Sequence, residues 1–191
     1  MTREEILEAA AQIIREKGFH ATSMQDIAKA VDLRKASLYH HVNSKQEILV
    51  DLLDQALDML ISQIEGVVAR SLPPDEKFRE AVRSYLIGMA ENLDLAAVLL
   101  LEHRSLEPEF RERHIPRRDA YEGYWRGIIQ EGIDAGIFAE QDVGLSVKAV
   151  LGVINWTIMW FNPQGSMSAL EIADYSADLL LNGISQCEAR G

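Results

Sequence analysis

From Ser44 onward the apolar residues return in pairs every fourth position: Ile48/Leu49, Leu52/Leu53, Ala56/Leu57, Leu60/Ile61, then Ile64 and Val67/Val68. This spacing draws one apolar stripe along an α-helix and does not fit a strand, whose side chains alternate with a period of two. Nothing breaks the run before Pro73 and Pro74, so it predicts one helix roughly 40 Å long at 1.5 Å per residue. A stripe of that length is stable only when other elements cover it.

The rest of the chain divides in the same way, with no strand pattern between the segments. Residues 3 to 17 carry Ile6, Leu7, Ala10, Ile13 and Ile14 at helical spacing and stop at Gly18, a natural C-cap. Thr22 with Gln25, Ser44 with Glu47 and Ser168 with Glu171 match the reciprocal capping box and mark three helix starts. Between the first two lies room for two short helices, about 23–30 and 34–41, joined by Val31, Asp32 and Leu33. After the long helix, Asp75 opens a segment to about Leu93, and LAAVLLLEHR forms another. Pro108 starts one that runs to Gly136, Asp142 opens a very apolar one to Phe161, and the last follows the break at NPQG to about Ile184. The expectation is an all-α chain of nine helices: three short ones, a long connector, and five around a second core.

Composition places this fold in an ordinary soluble class, with 48% hydrophobic and 26% charged residues among 191. No apolar run reaches the ~20 residues a bilayer demands, because the longest, VKAVLGVINWTIMWF, holds Lys148 and Asn155. The N-terminus lacks a basic region followed by an apolar stretch, so no secretion signal, no membrane partner and a cytoplasmic location are expected. The single cysteine, Cys187, excludes an internal disulfide and reads as a small side chain in the terminal helix. Charge is uneven: residues 1 to 48 balance seven Lys or Arg against seven Asp or Glu, so the whole formal net charge of -11 lies beyond them. Such an acidic chain does not bind nucleic acid with its whole surface, but a local patch is permitted.

Residues 32 to 47, DLRKASLYHHVNSKQE, contain that patch. A cation at a helix opening is disfavoured by roughly 0.3–1 kcal/mol at an exposed site, yet Arg34, Lys35 and Lys45 stand at two such openings. An anion offsets the penalty, since helix amino termini bind phosphate and neighbouring cations add Coulomb attraction. Two short helices with a tight turn, preceded by an amphipathic helix, is the arrangement that sets a recognition helix in the major groove. Around it cluster Thr22 and Ser23, then Arg34, Lys35 and Ser37, then Tyr39, His40 and His41, then Ser44 and Lys45. Lys45 is expected to hold a phosphate, Tyr39 and His40 to donate to backbone oxygens, and Lys35, Ser37 and Arg34 to approach base edges. Ala36 allows close approach and suits a thymine methyl; Leu38 is expected in the core. His20 and His41 stay open between a solvated surface role and a phosphate contact.

With these residues in view, GFHATSMQDIAKAVDLRKASLYHHVNSKQEIL resembles the helix-turn-helix of the TetR family of bacterial transcriptional regulators. The likeness is dense over residues 5 to 50, in T-S-M-x-x-I-A, L-Y-H-H and S-K-x-E. It implies a homodimer on near-palindromic double-stranded operator DNA, with DNA-binding residues 1–46 and a ligand-binding and dimerisation domain over 47–191. Two positions depart from the family pattern: Asp32 stands where Gly is usual, and Arg34 where Ser or Thr caps the helix. Arg34 is then free for a phosphate or a guanine edge. The tail NWTIMWFNPQGSMSALEIADYSADLLLNGI resembles a subgroup controlling fatty-acid and steroid breakdown in response to acyl-CoA thioesters, which implies a small hydrophobic effector such as an acyl-CoA.

The second region holds Tyr85, Met89, Tyr121, Tyr124, Trp125, Asn155, Trp156 and Met159 on helices around one interior. They line an effector cavity or simply fill the core. Arg117 and Arg118 meet an anionic ligand or pair with Glu112 and Glu122. His103 and His114 are spaced poorly for a metal and read as surface histidines. No serine sits in a nucleophile elbow and no glycine-rich phosphate loop is present, so no enzyme, metal or cofactor is expected. Val143, Val147, Val150, Leu151 and Ile154, with Leu170, Ala173, Ala177, Leu180 and Leu181, are expected to form a four-helix dimer interface through the last two helices. The competing possibility is a helical small-molecule-binding or metabolic protein whose basic turn binds an anion without operator specificity.

Overall fold

The computed structural model describes residues 1–184. Among these, nine α-helices follow one another without a strand: α1 (Arg3–Lys17), α2 (Met24–Ala30), α3 (Lys35–Leu38), α4 (Lys45–Val68), α5 (Pro74–Glu91), α6 (Leu93–Glu102), α7 (Pro108–Asp134), α8 (Val143–Trp156) and α9 (Ala169–Ile184). Short 3-10 turns, His103–Ser105 and Thr157–Met159, follow α6 and α8. The all-α, nine-helix expectation holds, and Cys187 lies outside the described residues. No single described helix is long and apolar enough to cross a membrane.

Helix boundaries follow local chemistry. Thr2 and Glu5 close a reciprocal capping box at the start of α1, one that the sequence analysis does not include. At α2 the box is formed by Ser23 and Asp26, one residue beyond the expected Thr22 and Gln25. Thr22 is instead buried, its hydroxyl donating to the Gly18 carbonyl at 2.9 Å. Ser168 and Glu171 form the box at α9 as expected. Asp142 opens α8 by accepting from the Leu145 amide at 2.8 Å. The end of α7 is a Schellman motif: Gly136, at φ +68°, donates to Ile133 O, and Ile137 donates back to Gly132 O at 2.9 Å. The returning chain lays the Phe138 ring on Gly132, where a Cβ would come within 2.1 Å of ring carbon.

Two compact units divide the chain. The first joins residues Met1–Met59 to Asn92–Arg118. Its core runs through Ile6, Ala10 and Ile14 of α1, Ile27 of α2, Leu38 of α3 and Ile48, Leu49 and Leu52 of α4, and includes Val98 and Leu106 from the later segment. α1 packs on α6, with Arg15 bridging to Asp94 at 2.7 Å. The second unit joins Leu60–Glu91 to the chain from Asp119 onward. There α5 packs on α9, fastened by Arg79 to Asp178 at 2.7 Å and Arg83 to Asp174 at 2.5 Å. Its centre is an aromatic group in which Phe78 meets Trp125 and Phe138 edge to face, each with ring centroids 6.1 Å apart. Lys77 is buried beside it, its ammonium held by both Glu131 oxygens at 2.6 and 2.8 Å.

The histidines of the first unit correct the sequence reading. His114 is only 5% exposed, one helical turn after the half-buried Phe110 on α7, and His103 is half-buried. Burial pushes both imidazoles below their usual 6.5; the guanidinium of Arg118 acts in the same direction on each, while Asp54 opposes it at His114. A base with a depressed folded-state pKa binds a proton more readily when unfolded, so its stability contribution is complete above 6.5 and disappears as pH falls through the folded value. Thermal unfolding monitored by circular dichroism should therefore show a Tm that is flat above about pH 7 and declines below pH 6.5. In the H114Q variant that acid decline becomes shallower.

Candidate nucleic-acid interface and ligand site

The interface is built on a short helix that its surroundings hold in place. α2 ends at Ala30, and Asp32 takes a left-handed conformation at φ +51°. Asp tolerates this region better than most residues, so it can stand where the family uses Gly. The Leu33 amide then donates back to Ala28 O at 2.8 Å, which turns the chain within a few residues. α3 follows at once with Arg34 as its N-cap and no side-chain hydrogen bond at the opening. Leu38 is wholly buried in the core that also holds side chains of α1, α2 and α4, as expected. Its burial turns the other side outward: Arg34, Lys35, Ala36, Tyr39 and His40 are exposed and Ser37 half-exposed. Ser23 and Ser44 are exposed as well, at the openings of α2 and α4.

Lys45 differs from the expected phosphate ligand. Its ammonium donates to Phe19 O at 2.8 Å and Thr22 O at 2.7 Å, and lies 4.4 Å from the centre of the Phe19 ring. It thereby locks the α1–α2 loop to the first turn of α4. At that turn Ser44 Oγ accepts from the Glu47 amide at 3.0 Å, but the Glu47 carboxylate reaches past the cap to Asn43 N at 2.8 Å. Arg3 completes the frame by pairing with Glu47 at 2.7 Å and Asp51 at 2.6 Å. The hydrogen bond from Arg3 holds the Glu47 carboxyl below its ordinary range, while burial outweighs the same arginine at Asp51 and raises it.

Residues 92–118 contribute contacts that sequence reasoning missed. Glu102 accepts from the Phe19 amide at 3.1 Å and from Ser105 Oγ at 3.0 Å, and His20 Nε2 lies 3.2 Å from that same hydroxyl. Gln46 donates to Ser105 O at 2.9 Å. The partners drawn from the head and from this segment are 59 to 85 positions apart in the chain, beyond any periodicity or capping signal.

In the second unit the proposed effector residues separate into two groups. Tyr85, Met89, Tyr121 and Trp125 are buried. The Tyr85 hydroxyl donates to Asn155 Oδ1 at 2.5 Å, and burial pushes the Tyr85 and Tyr121 phenols far above their usual range. Trp156 and Met159, expected in the same interior, are 65% and 52% exposed. Tyr124 is half-exposed, with its hydroxyl on Glu65, and Arg118 is an exposed residue of the first unit. Most of the expected dimer stripe faces inward, although Leu170 is exposed as that reading requires. Val147, Val150, Ile154, Ala173 and Ala177 are buried within the protein's own core, whereas Leu145, Val153, Trp156, Leu170, Tyr175 and Leu179 are exposed on α8 and α9.

A compact α1–α2–α3 head with an outward cationic helix, followed by a helical unit with an aromatic interior, defines a helix-turn-helix DNA-binding regulator. Residues 6–52 match the bacterial regulatory proteins of the tetR family, and residues 71–184 match the tetracyclin repressor-like C-terminal domain. The chain belongs to the TetR family of transcriptional regulators. It is 40% identical to PfmR from Thermus thermophilus, over 95% of this chain and 99% of that one, with a TM-score of 0.87. It is also similar to the transcriptional repressor KstR2 of Mycobacterium tuberculosis, at 26% identity over 96% of this chain and 93% of the relative. AibR, solved with isovaleryl coenzyme A and operator DNA, is 28% identical over 94% of this chain and 97% of that one, with a TM-score of 0.87.

If Lys45 holds the head together, removing its ammonium leaves two carbonyls without a charged donor at a cost of about 1–2 kcal/mol. Lys45→Met should lower the denaturation midpoint accordingly, and Lys45→Arg should recover part of it. DNA affinity of the methionine variant, measured by fluorescence anisotropy, should fall by a similar factor on specific and random duplexes.

Proposed function

We propose that this protein is a homodimeric, cytoplasmic repressor that leaves its operator when a small hydrophobic effector of the acyl-CoA class binds. Residues 1–46 read DNA, and residues 47–191 bind the effector and dimerise. The observation that carries the reading is the outward face of α3. Four residues long and pinned by Leu38, it presents Arg34, Lys35, Ala36, Tyr39 and His40 to solvent in an otherwise acidic chain. Lys35 and Arg34 reach base edges or phosphates, Tyr39 and His40 donate to backbone oxygens, and Ser23 and Ser44 flank them at helix openings. Thr22 and Lys45 hold the loop that carries these groups. The exposed apolar residues of α8 and α9, including Trp156 and Met159, pair with those of a second copy. A two-fold dimer sets its recognition helices about 34–36 Å apart, one turn of DNA. The buried Tyr85, Met89, Tyr121 and Trp125 with Asn155 form the effector site. Support for the effector class comes from AibR and from the resemblance of the tail.

Gel-shift titration with the protein's own promoter region, repeated at several salt concentrations, tests the reading. A regulator of this kind gives a log–log salt slope of about -0.9 per phosphate contact and prefers its own site to random DNA. Lys35→Ala should weaken specific binding by roughly tenfold, the loss of one base-edge contact, and narrow the gap to random sequence. Acyl-CoA should release the complex. A protein that binds no duplex from its locus at low salt, or binds all duplexes alike, is instead the anion-binding metabolic protein.

A further inference from the structure

Three of the five histidines lie in the head, and two of them, His40 and His41, follow α3 directly and are exposed. The third, His20, is committed, with its Nε2 3.2 Å from Ser105 Oγ. Free cations are few around them. Residues 1 to 48 hold seven Lys or Arg, but Arg3 pairs with Glu47 and Asp51, Arg15 with Asp94 and Lys17 with Asp26, while Lys45 donates to two carbonyls. Lys29, Arg34 and Lys35 are left without an ion pair among the described residues. The carboxylates of the same elements are accounted for as well. Glu5 of α1 lies 3.7 Å from the chain's amino terminus, Asp26 of α2 holds Lys17 and Ser23, and Glu47 and Asp51 of α4 hold Arg3. Glu4, Glu8 and Glu16 of α1 and Asp32 of the turn are exposed. None of these acids pairs with His40 or His41 among the described residues, so both rings are open to an outside anion.

We propose that DNA binding by this head is proton-linked: His40 and His41 take protons from the buffer as they meet backbone phosphates, so the protein holds DNA more tightly as pH falls. The inference rests on the DNA-binding reading above and adds its regulation. Histidine is the side chain whose ordinary titration falls between about pH 5 and 8, and a phosphate brought against it favours the charged form. A neutral imidazole donates one hydrogen bond, whereas an imidazolium donates from both nitrogens and adds Coulomb attraction. Two such charges join the three of Lys29, Arg34 and Lys35, a large change for a surface with so few. The sign follows from proton counting. A complex that holds more protons than its separated parts weakens as pH rises and tightens as pH falls, by up to about tenfold per pH unit for each proton taken up. His103 and His114 do not supply these protons, because burial disfavours their charged forms.

Fluorescence anisotropy with a duplex from the protein's own promoter region, at constant ionic strength and between about pH 8 and pH 6.5, reads the linkage above the acid decline in stability. Affinity should rise by about tenfold over this range, and the log–log salt slope should steepen by about 0.9 for each histidine that gains a phosphate. Calorimetric titration in two buffers of different ionisation enthalpy should find about one proton or more entering each complex near neutral pH. The H40Q/H41Q variant, which keeps hydrogen-bonding side chains without the titrating charge, should bind with an affinity and a salt slope nearly independent of pH. H40Q and H41Q singly should each remove part of the dependence, and they stand in for the double variant if it fails to fold. An affinity that does not change with pH, or a pH dependence that survives undiminished in these variants, overturns the assignment and leaves the DNA-binding reading standing. If no duplex binds at any pH, the DNA-binding reading falls, and this assignment falls with it.

Discussion

A four-residue helix has no stability of its own. Nucleating a turn costs more conformational entropy than its one or two internal hydrogen bonds return, so α3 keeps its shape only because other elements hold both of its ends. The first anchor is the buried Leu38, which removes an isobutyl group from water in the core of the first unit for about 2 kcal/mol. The second is Asp32, whose left-handed backbone aims the chain from α2 into α3. Lys45 supplies the third by tying the carbonyls of Phe19 and Thr22 to the first turn of α4. The recognition surface is thus a product of tertiary constraint, and the identities of its exposed residues are left free to serve DNA.

The same constraint explains the placement of charge. Many of the acidic side chains that give the chain its net charge of -11 are occupied in ion pairs: Glu47 and Asp51 by Arg3, Asp54 and Asp58 by Arg117, Glu80 and Asp174 by Arg83. Arg34 and Lys35 stand apart at the tip of the head with no ion pair among the described residues. In the reading proposed above their attraction for a duplex is therefore local, and it is set against the net negative charge of the chain as a whole.

Most helix boundaries were legible because caps, breakers and the 3.6 period are local signals that tertiary packing reinforces here. Gly136, Asp142 and Ser168 act as their chemistry suggests. Thr22 shows where a local signal misleads. Thr22–Gln25 and Ser23–Asp26 both satisfy the box pattern, and in the fold the threonine is buried with its hydroxyl committed to the Gly18 carbonyl, which leaves the cap to Ser23. Lys45 illustrates a different limit: a cation at a helix opening is offset equally well by a phosphate or by two carbonyls, and only the fold shows carbonyls within 3 Å. Trp156 and Met159 read as inward from sequence because they are large and apolar, the usual rule for a monomer. The dimer proposed above would account for the exception, since a face that pairs with a second copy breaks that rule. The contribution of residues 92–118 to the head was invisible for a simpler reason, since hydrogen bonds between residues about 80 positions apart leave no periodic trace.

Buried polar atoms finally show how the interior of the second unit is specified. Asn155 with Tyr85 and Glu131 with Lys77 pair a donor with an acceptor, so a substitution at either partner leaves the other without its match, and the packing is fixed by more than apolar contact. Trp125 is placed differently: its ring meets Phe78 edge to face with centroids 6.1 Å apart, and the Tyr121 hydroxyl lies beside its indole one turn earlier on α7. An aromatic group held by edge contacts and a few polar pairs has one arrangement that satisfies all of them at once, which is what a uniformly aliphatic core lacks.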